Sequence, residues 1–544
     1  MTDGSMQHYA LTLNRFLDHA AKWHPDAQVV TAGDSSVSSR TGYGALRERA
    51  RRLSAGLAGR GVRFGDRVAT LAWNTQAHVE AWYAIMGMGA VCHTLNPRLT
   101  ASRLASMLDQ SGARILIVSA DLAPLAQMVL ARAKSVSQLL VMDGAPPDRS
   151  EDRPDLSIGS LDQVIAEAGE EVAWGDFDES APSGLCFTSG TTGDPKGVTY
   201  THRACYLHTL RQLQAEVMGI VSTDAVLTVV PMFHANAWGL PFAAPAVGAK
   251  LVLPGRAADG ASLARLIRSE QVTMAVGVPT VWLDLVEHLE QTGEDVPSLE
   301  RVMVGGAPMA PALMDRLERR LGAVVQTTWG MTELSPLGTA AAPADPHRDA
   351  ASSGRPAIGI DLLLTDADGR ALPDQRDGEG HLRVRGSAVI ERYFGQTEPA
   401  TDEDGWFDTG DLARIDSHGN LYITGRSKDL IKSGGEWINP SEIEALVSAL
   451  PDVSQAAVIG RPDPKWGERP VLLVELIKAS GLSDEALLAP LRGQVASWSI
   501  PDEVVRLRDM PVGPTGKIDK VRLRAEHGQA REAGSTTPRQ RALP

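Results

Sequence analysis

"FTSGTTGDPKG" occupies residues 187–197. It holds three glycines, four hydroxyl side chains, one proline and one lysine. Glycines let backbone N–H groups crowd an anion without Cβ clashes. The hydroxyls of Thr188, Ser189, Thr191 and Thr192 are donors, and Lys196 supplies a cation held by the Pro195 turn. With Gly190 and Gly193 these are the parts of a polyphosphate site. The spelling is not the Walker one, which needs Gly-Lys followed at once by Ser or Thr, because Lys196 is followed by Gly197. A kinase or ATPase of Walker type is therefore disfavoured. On its own, a Gly/Thr-rich stretch between two strands is more often an ordinary polar turn.

The flanks of the loop set the fold class. "GLCF" before it and "GVTY" after it read as strands. Further short apolar strands follow at "AVLTVVP", "AKLVLPG", "VTMAVGVP", "LERVMVGG" and "AVVQTTWG", and "RILIVSA" and "QLLVMDG" precede them. Amphipathic helical patterns such as "TVWLDLVEHLEQTG" and "APALMDRLERRLG" lie between most of them. Buried strands alternating with helices predict α/β layers with a mostly parallel sheet. Residues 12–60 read as helical around short turns. Past residue 353 short strands with "DADG" and "RDGEG" turns predict antiparallel sheet or a small barrel. From about residue 425 a smaller α+β pattern begins, with a helix over 441–449 behind "NPSE", strands at "AAVIGRPD" and "RPVLLVELI", and a helix at "SDEALLAPLRGQVA". The last residues lack apolar periodicity and read as a tail.

The bulk numbers exclude several classes. A chain of 544 residues exceeds one ordinary core. Acidic groups outnumber basic ones 67 to 53, which disfavours nucleic acid or an anionic membrane as main partner. Three cysteines without metal spacing argue against a disulfide framework or zinc site and fit a reducing, cytoplasmic compartment. The N-terminus is polar and unlike a signal peptide. The most apolar run, residues 81–95, is 15 residues long, where a membrane span needs about 20. It reads as a buried helix passing into a strand.

The loop resembles the phosphate-loop signature of the adenylate-forming superfamily, which holds acyl-CoA synthetases, luciferases and the adenylation domains of peptide synthetases. Five more of its motifs follow in order: "VMVGGAPM" (302–309), "TTWGMTE" (327–333), "GWFDTGD" (405–411), "GRSKDLIKSGGEWI" (425–438) and "PTGKIDK" (514–520). The resemblance spans roughly residues 10–525 and implies the fold: a large N-terminal domain over 1–425 with two α/β layered subdomains and a small β-barrel, a hinge over 426–432 and a mobile α+β domain over 433–527; the polar composition of 528–544 reads as a flexible tail.

It also implies an activity. ATP would convert a carboxylic acid to an acyl-AMP with release of pyrophosphate, and the thiol of coenzyme A would displace AMP. The phosphate loop would hold the departing phosphates. Glu333 would bind Mg²⁺ and Thr332 the α-phosphate. Trp329 would stack on adenine, opposite a wall made by Gly305, Gly306, Ala307 and Pro308, with Thr328, Gly330 and Met331 beside it. The superfamily usually has Tyr at position 329; Trp keeps the ring and loses the hydroxyl. Asp411 would accept the ribose hydroxyls, with Ile423 and Arg426 nearby. Lys517 would bridge the α-phosphate and the incoming carboxylate, and Lys428 would be the pivot. Gly434, Gly435, Glu436, Trp437 and Trp466 would face coenzyme A. His234, Trp238, Phe233 and Trp282 would wall the acyl pocket, together with Met331 and Pro336. Bulky apolar walls favour a short or medium aliphatic acid, and no acid is placed there to catch an α-ammonium. "VPMFHANAWGLPFAA" and "TTWGMTELSPLGT" look like the branch of medium-chain acyl-CoA synthetases that includes 3-methylmercaptopropionate-CoA ligases. The competing readings are an adenylation enzyme loading a carrier protein, an oxidative light-emitting enzyme, and a non-catalytic nucleotide-binding regulator. A homodimer stays open.

Overall fold

The computed structural model describes residues 4–33, 37–148, 153–188, 195–346, 348–477, 481–513 and 517–529. Among them, four sheets organise the chain. The first runs Ser157–Ser160, Gln138–Met142, Ile115–Ser119, Arg67–Leu71, Val91–Thr94, Pro182–Phe187, Gly197–Thr201. Its pairs are parallel except the last, where Phe187 lies opposite Gly197. That single antiparallel hairpin is what brings the two ends of the glycine-rich loop together.

The second sheet is parallel from Val324–Gly330 through Arg301–Val304, Met274–Gly277, Ala225–Thr228 and Lys250–Leu253 to Gln28–Ala32. Helices cover these sheets with ordinary start and stop chemistry. Thr201 caps His202–Gln212 and Asp259 caps Gly260–Glu270 through side-chain oxygens. Gly293 and Gly322 end their helices in the left-handed conformation. The run 81–95 is a buried helix, Gln76–Gly87, followed by the strand Val91–Thr94. No helix among the described residues is long and apolar enough to cross a membrane.

Three local expectations need correction. Residues 12–60 are not helical throughout: Gln28–Ala32 and Val37–Gly42 form an antiparallel pair. The β-branched "QVVTA" lies between Lys250–Leu253 and the edge strand Val37–Gly42, and that pairing outweighs the helical pattern around it. The antiparallel region is a four-stranded sheet, Ile360–Thr365, Gly378–Gly386, Phe407–Ile415, Leu421–Arg426, with no closing pair between its edge strands among the described residues. A bridge from Ser352 to Tyr422 ties one edge to the preceding segment instead. The helix after Ser483 stops at Leu488, and Ala489–Leu491 is a 3-10 turn, because Pro490 has no N–H to continue the ladder.

Past Ile431 a fourth sheet builds its own core. Val453–Asp463 and Gly467–Leu476 pair along their length, and Glu503–Leu507 adds in parallel. Ile431, Ile443, Val458, Leu472 and Leu487 fill one side, and Ile459, Leu473 and Leu523 the other. The 3-10 turn Ser427–Asp429 joins this unit to Leu421–Arg426. Asn439 spans the junction: it caps Pro440–Ser448 and donates from Nδ2 to the Thr424 carbonyl at 2.6 Å.

Candidate active site

The strand Phe407–Ile415 places Asp411 directly opposite Arg426 in register. Asp411 is 1% exposed. Its Oδ1 sits 2.6 Å from Arg426 Nε, and its Oδ2 accepts the indole N–H of Trp329 at 2.9 Å. Burial pushes the Asp411 carboxyl up; Arg426, Trp329 and Lys517 pull it back toward the ionised form. Trp329 comes from the next-to-last position of Val324–Gly330. Its ring fits because residue 338 is glycine, where a Cβ would stand 2.6 Å from the indole.

One turn further, the 3-10 segment Thr332–Leu334 buries Glu333. Tyr393 donates its hydroxyl to Glu333 Oε1 at 3.0 Å, and the Lys196 ammonium lies 4.8 Å from the centre of the Tyr393 ring. Burial raises the Glu333 carboxyl, opposed by its own backbone N–H, Tyr393, Arg426 and Lys196. Tyr200 donates to the Thr332 carbonyl at 3.0 Å. Tyr393 and Tyr200 are thus structural partners that motif reading missed. Of the loop, Thr188 donates its N–H to the Lys196 carbonyl at 2.9 Å; Ser189, Gly190, Thr191, Thr192 and Gly193 lie outside the described residues.

Lys517 reaches the same cleft from the smaller unit. Lys517 is exposed, and desolvation lowers its pKa. Arg426 and Lys428 push the same way, and Asp411 and Glu333 oppose them. Five charged groups from distant motifs therefore share one electrostatic site. Ile423 lies partly buried on the Arg426 strand.

The acyl side is built differently. Ala235, Asn236, Ala237 and Trp238 all have positive φ, between 44° and 53°, followed by Gly239 at 78°. Single non-glycine residues enter this region; a left-handed run is rare. Gln212 holds it by donating to the Trp238 carbonyl, and Asn236 contacts Cys205 Sγ at 3.8 Å. The turn lays the Trp238 ring over residues 305–306. Phe233 and His234 line a cavity with Thr94, Asn96, Leu99, Met107 and Phe187. Burial, then Lys517, lowers the His234 pKa to about 4, so this imidazole is neutral at physiological pH. Trp282 does not belong to this wall. It is fully buried in the core with Leu285 and Val304, against Gly277, and offers no surface to a ligand.

Gly305 sits between Thr328 and the Trp238 ring. A Cβ there would fall 2.2 Å from Thr328 Oγ1 and 2.7 Å from the Trp238 ring. Gly305→Ala is expected to cut kcat/KM for the acid by about 10²-fold, the usual scale for a misplacement near 1 Å. Initial rates at saturating ATP check this, and an unchanged value removes Gly305 from the pocket wall. Next to it, Gly306 has φ 80°, and Ala307 and Pro308 continue the turn toward solvent. Gly330 lies against the Pro336 carbonyl and Met331 bonds to the same oxygen through its N–H at 3.0 Å.

On the smaller unit, Gly434 and Gly435 take φ 62° and 93° in the turn between Ile431–Ser433 and Glu436–Ile438. Gly434 donates to the Trp466 carbonyl at 2.7 Å, and the Trp466 ring fills the space a Cβ at 434 would need. Trp437 and Trp466 are exposed beside Lys432 and Lys465.

Residues 17–394 match the AMP-binding enzyme family, and residues 442–517 match the AMP-binding enzyme C-terminal domain. The chain belongs to the AMP-binding enzyme family. As an AMP-binding enzyme it is 39% identical over 536 residues to a 3-methylmercaptopropionyl-CoA ligase of Ruegeria lacuscaerulensis, covering 97% of this chain and 99% of that one. It is 39% identical over 534 residues to a medium-chain-fatty-acid–CoA ligase of Ectopseudomonas oleovorans, covering 96% and 97%. Among solved structures of AMP-binding enzymes it resembles ATP-bound MatB from Rhodopseudomonas palustris, with a TM-score of 0.83 at 25% identity over 95% of this chain and 99% of that one. The anthranilate CoA ligase AuaEII with anthranoyl-AMP shares the fold, with a TM-score of 0.85 at 24% identity over 96% and 98%.

Proposed function

We propose that this AMP-binding enzyme is an ATP-dependent acyl-CoA synthetase acting on a short or medium aliphatic acid. The convergence of Lys517, Asp411, Arg426 and Glu333 on one cleft supports this most strongly. A carboxylate oxygen of the acid attacks the α-phosphorus, the bond to the β-phosphate oxygen breaks, and pyrophosphate leaves. The thiolate of coenzyme A then attacks the acyl carbon, and AMP leaves with the bonding pair.

Asp411 accepts the ribose hydroxyls, and Trp329 and residues 305–308 enclose adenine. Thr332 bonds the α-phosphate, and Thr188 and Lys196 belong to the loop that holds the departing phosphates. Lys517 brings its charge to the point where two anions must meet. Mg²⁺ fits Glu333: a buried carboxylate with one oxygen held by Tyr393 is a hard donor, and no cluster of three or more metal-binding side chains exists among the described residues. The other ligands would be phosphate oxygens and water, which Mg²⁺ favours. When bound, the ion would supply charge neutralisation on the phosphates.

Residues 1–425 form the larger domain, 426–432 the hinge and 433–527 the smaller, moving domain. Rotation about Lys428 withdraws Lys517 and presents the face of Gly434, Gly435, Glu436, Trp437 and Trp466 to coenzyme A. Lys428→Pro is expected to leave acyl-AMP formation near wild type and slow thioester formation at least about tenfold. Single-turnover assays of each half-reaction check this, and unchanged halves remove Lys428 as the pivot.

The walls at Phe233, His234, Trp238 and Met331 suit an apolar acid without an α-ammonium, including 3-methylmercaptopropionate, the acid named for one relative. A panel of such acids, of about four to ten carbons, is scored for pyrophosphate release with and without coenzyme A. Release with acid, and thioester only with coenzyme A, is the expected result. If no carboxylic acid triggers release, the proposed reaction is wrong.

A further inference from the structure

We propose that Trp329 sets the enzyme's preference for a ribonucleotide by holding Asp411 Oδ2 through its indole N–H. This rests on Asp411 being the ribose acceptor. The two Asp411 oxygens face different strands: Oδ1 forms an ion pair with Arg426 on Leu421–Arg426 but accepts no hydrogen bond there, while Oδ2 accepts the indole N–H of Trp329 on Val324–Gly330. The Trp329 hydrogen bond is therefore the directional contact that sets the carboxylate plane, and the Arg426 ion pair adds charge at the other oxygen. The remaining lone pairs of the carboxylate then point in fixed directions, as two neighbouring hydroxyls on one sugar require.

The grip depends on tryptophan in particular. Indole carries its donor on the flank of the ring, while tyrosine carries its only donor at the far end and phenylalanine has none. The ring stays in place because Gly338 leaves space beneath it, where a Cβ would stand 2.6 Å from the benzo carbons. Trp329 is 7% exposed and Asp411 1%, so water cannot readily substitute for the lost donor. Trp329 is thus a positioning residue for the sugar as well as a wall for the base. Its contact with Asp411 also favours the ionised carboxylate.

The test compares kcat/KM for ATP, 2′-deoxyATP and 3′-deoxyATP in the full-length enzyme, using pyrophosphate release. Hydrogen bonds to charged groups are worth about 1.5–3 kcal/mol. Trp329→Phe, which keeps a ring and loses the donor, is therefore expected to reduce the preference for ATP over 2′-deoxyATP about tenfold or more. KM for ATP should rise more than kcat falls. The acid limb of kcat/KM for ATP should move to higher pH, because the ionised Asp411 has lost a donor. Unchanged sugar preference and an unchanged acid limb would overturn the proposal. Asp411→Asn separates the two layers. If it abolishes sugar preference while Trp329→Phe retains it, Asp411 reads the ribose without Trp329. If Asp411→Asn retains the preference, the ribose assignment itself falls. Should Trp329→Phe not fold, benzothienylalanine at 329 removes the N–H while keeping the ring shape, with the same two outcomes.

Discussion

Lys517→Ala is expected to slow acyl-AMP formation by about 10²–10³-fold, the scale of losing one preorganised charge at a transition state, and to spare thioester formation from preformed acyl-AMP. The geometry explains the asymmetry. The lysine sits at the end of a loop closed by the Val512–Ile518 bridge and by Gly513 donating to its carbonyl at 2.6 Å. Its ammonium enters the field of Asp411 and Glu333 from the smaller unit. Arg426 and Lys428 are the other cations of the same site. During adenylation the acid and the α-phosphate repel each other, and this charge offsets the repulsion. During thioester formation that contact is not needed. The lowered Lys517 pKa adds a sign: the alkaline limb of kcat/KM for ATP should lie below the ordinary lysine value, because the reactive form is the charged one. Equal losses in both half-reactions, measured by single turnover, would sink this role.

Asp411→Asn has the next largest expected effect, on binding. The substitution removes the carboxylate paired with Arg426 and sets an amide between that guanidinium and the Trp329 indole N–H. One of them must face an NH₂ group. KM for ATP is expected to rise about 10²-fold, since two ribose bonds to a charged acceptor weaken together. Arg426 is 40% exposed, so solvent screening limits the stability loss to about 1 kcal/mol. Calorimetric titration with ATP and thermal unfolding measure the two effects separately. A wild-type KM would remove Asp411 from the nucleotide site.

Much of this site is legible because its residues sit inside short motifs with their own chemistry. Asp411 and Arg426 are 15 positions apart, and an antiparallel hairpin makes them neighbours. Lys517 is recognisable because it follows Pro-Thr-Gly in a matched motif. Tyr393 and Tyr200 were not legible. Their contacts join residues 60 and 132 positions apart, and no spacing rule connects such pairs. The Trp329 bond to Asp411 has the same character: sequence shows a ring without a hydroxyl, while the partner of its N–H depends on strand packing. Trp282 misled for the opposite reason. It lies in "GVPTVW", beside the pocket in sequence, but Gly277 opens a slot that draws the indole into the core. The pair Gln28–Ala32 and Val37–Gly42 was hidden by the helical patterns on both sides.

The turn at residues 235–238 limits how this pocket can change over evolutionary time. Left-handed backbone costs roughly 1–2 kcal/mol per non-glycine residue, and β-branched side chains tolerate it least. Valine, isoleucine and threonine are therefore poor replacements along the stretch that aims Trp238 at Gly305. Phe233 and Met331 lie outside it and carry no such restriction. New acids would be accommodated by substitutions on those flanks, while the segment carrying the indole stays nearly fixed. The proposed acyl site would then have one adaptable side and one conservative side, and lineages that diversify their substrates should show it as a contrast in substitution rate.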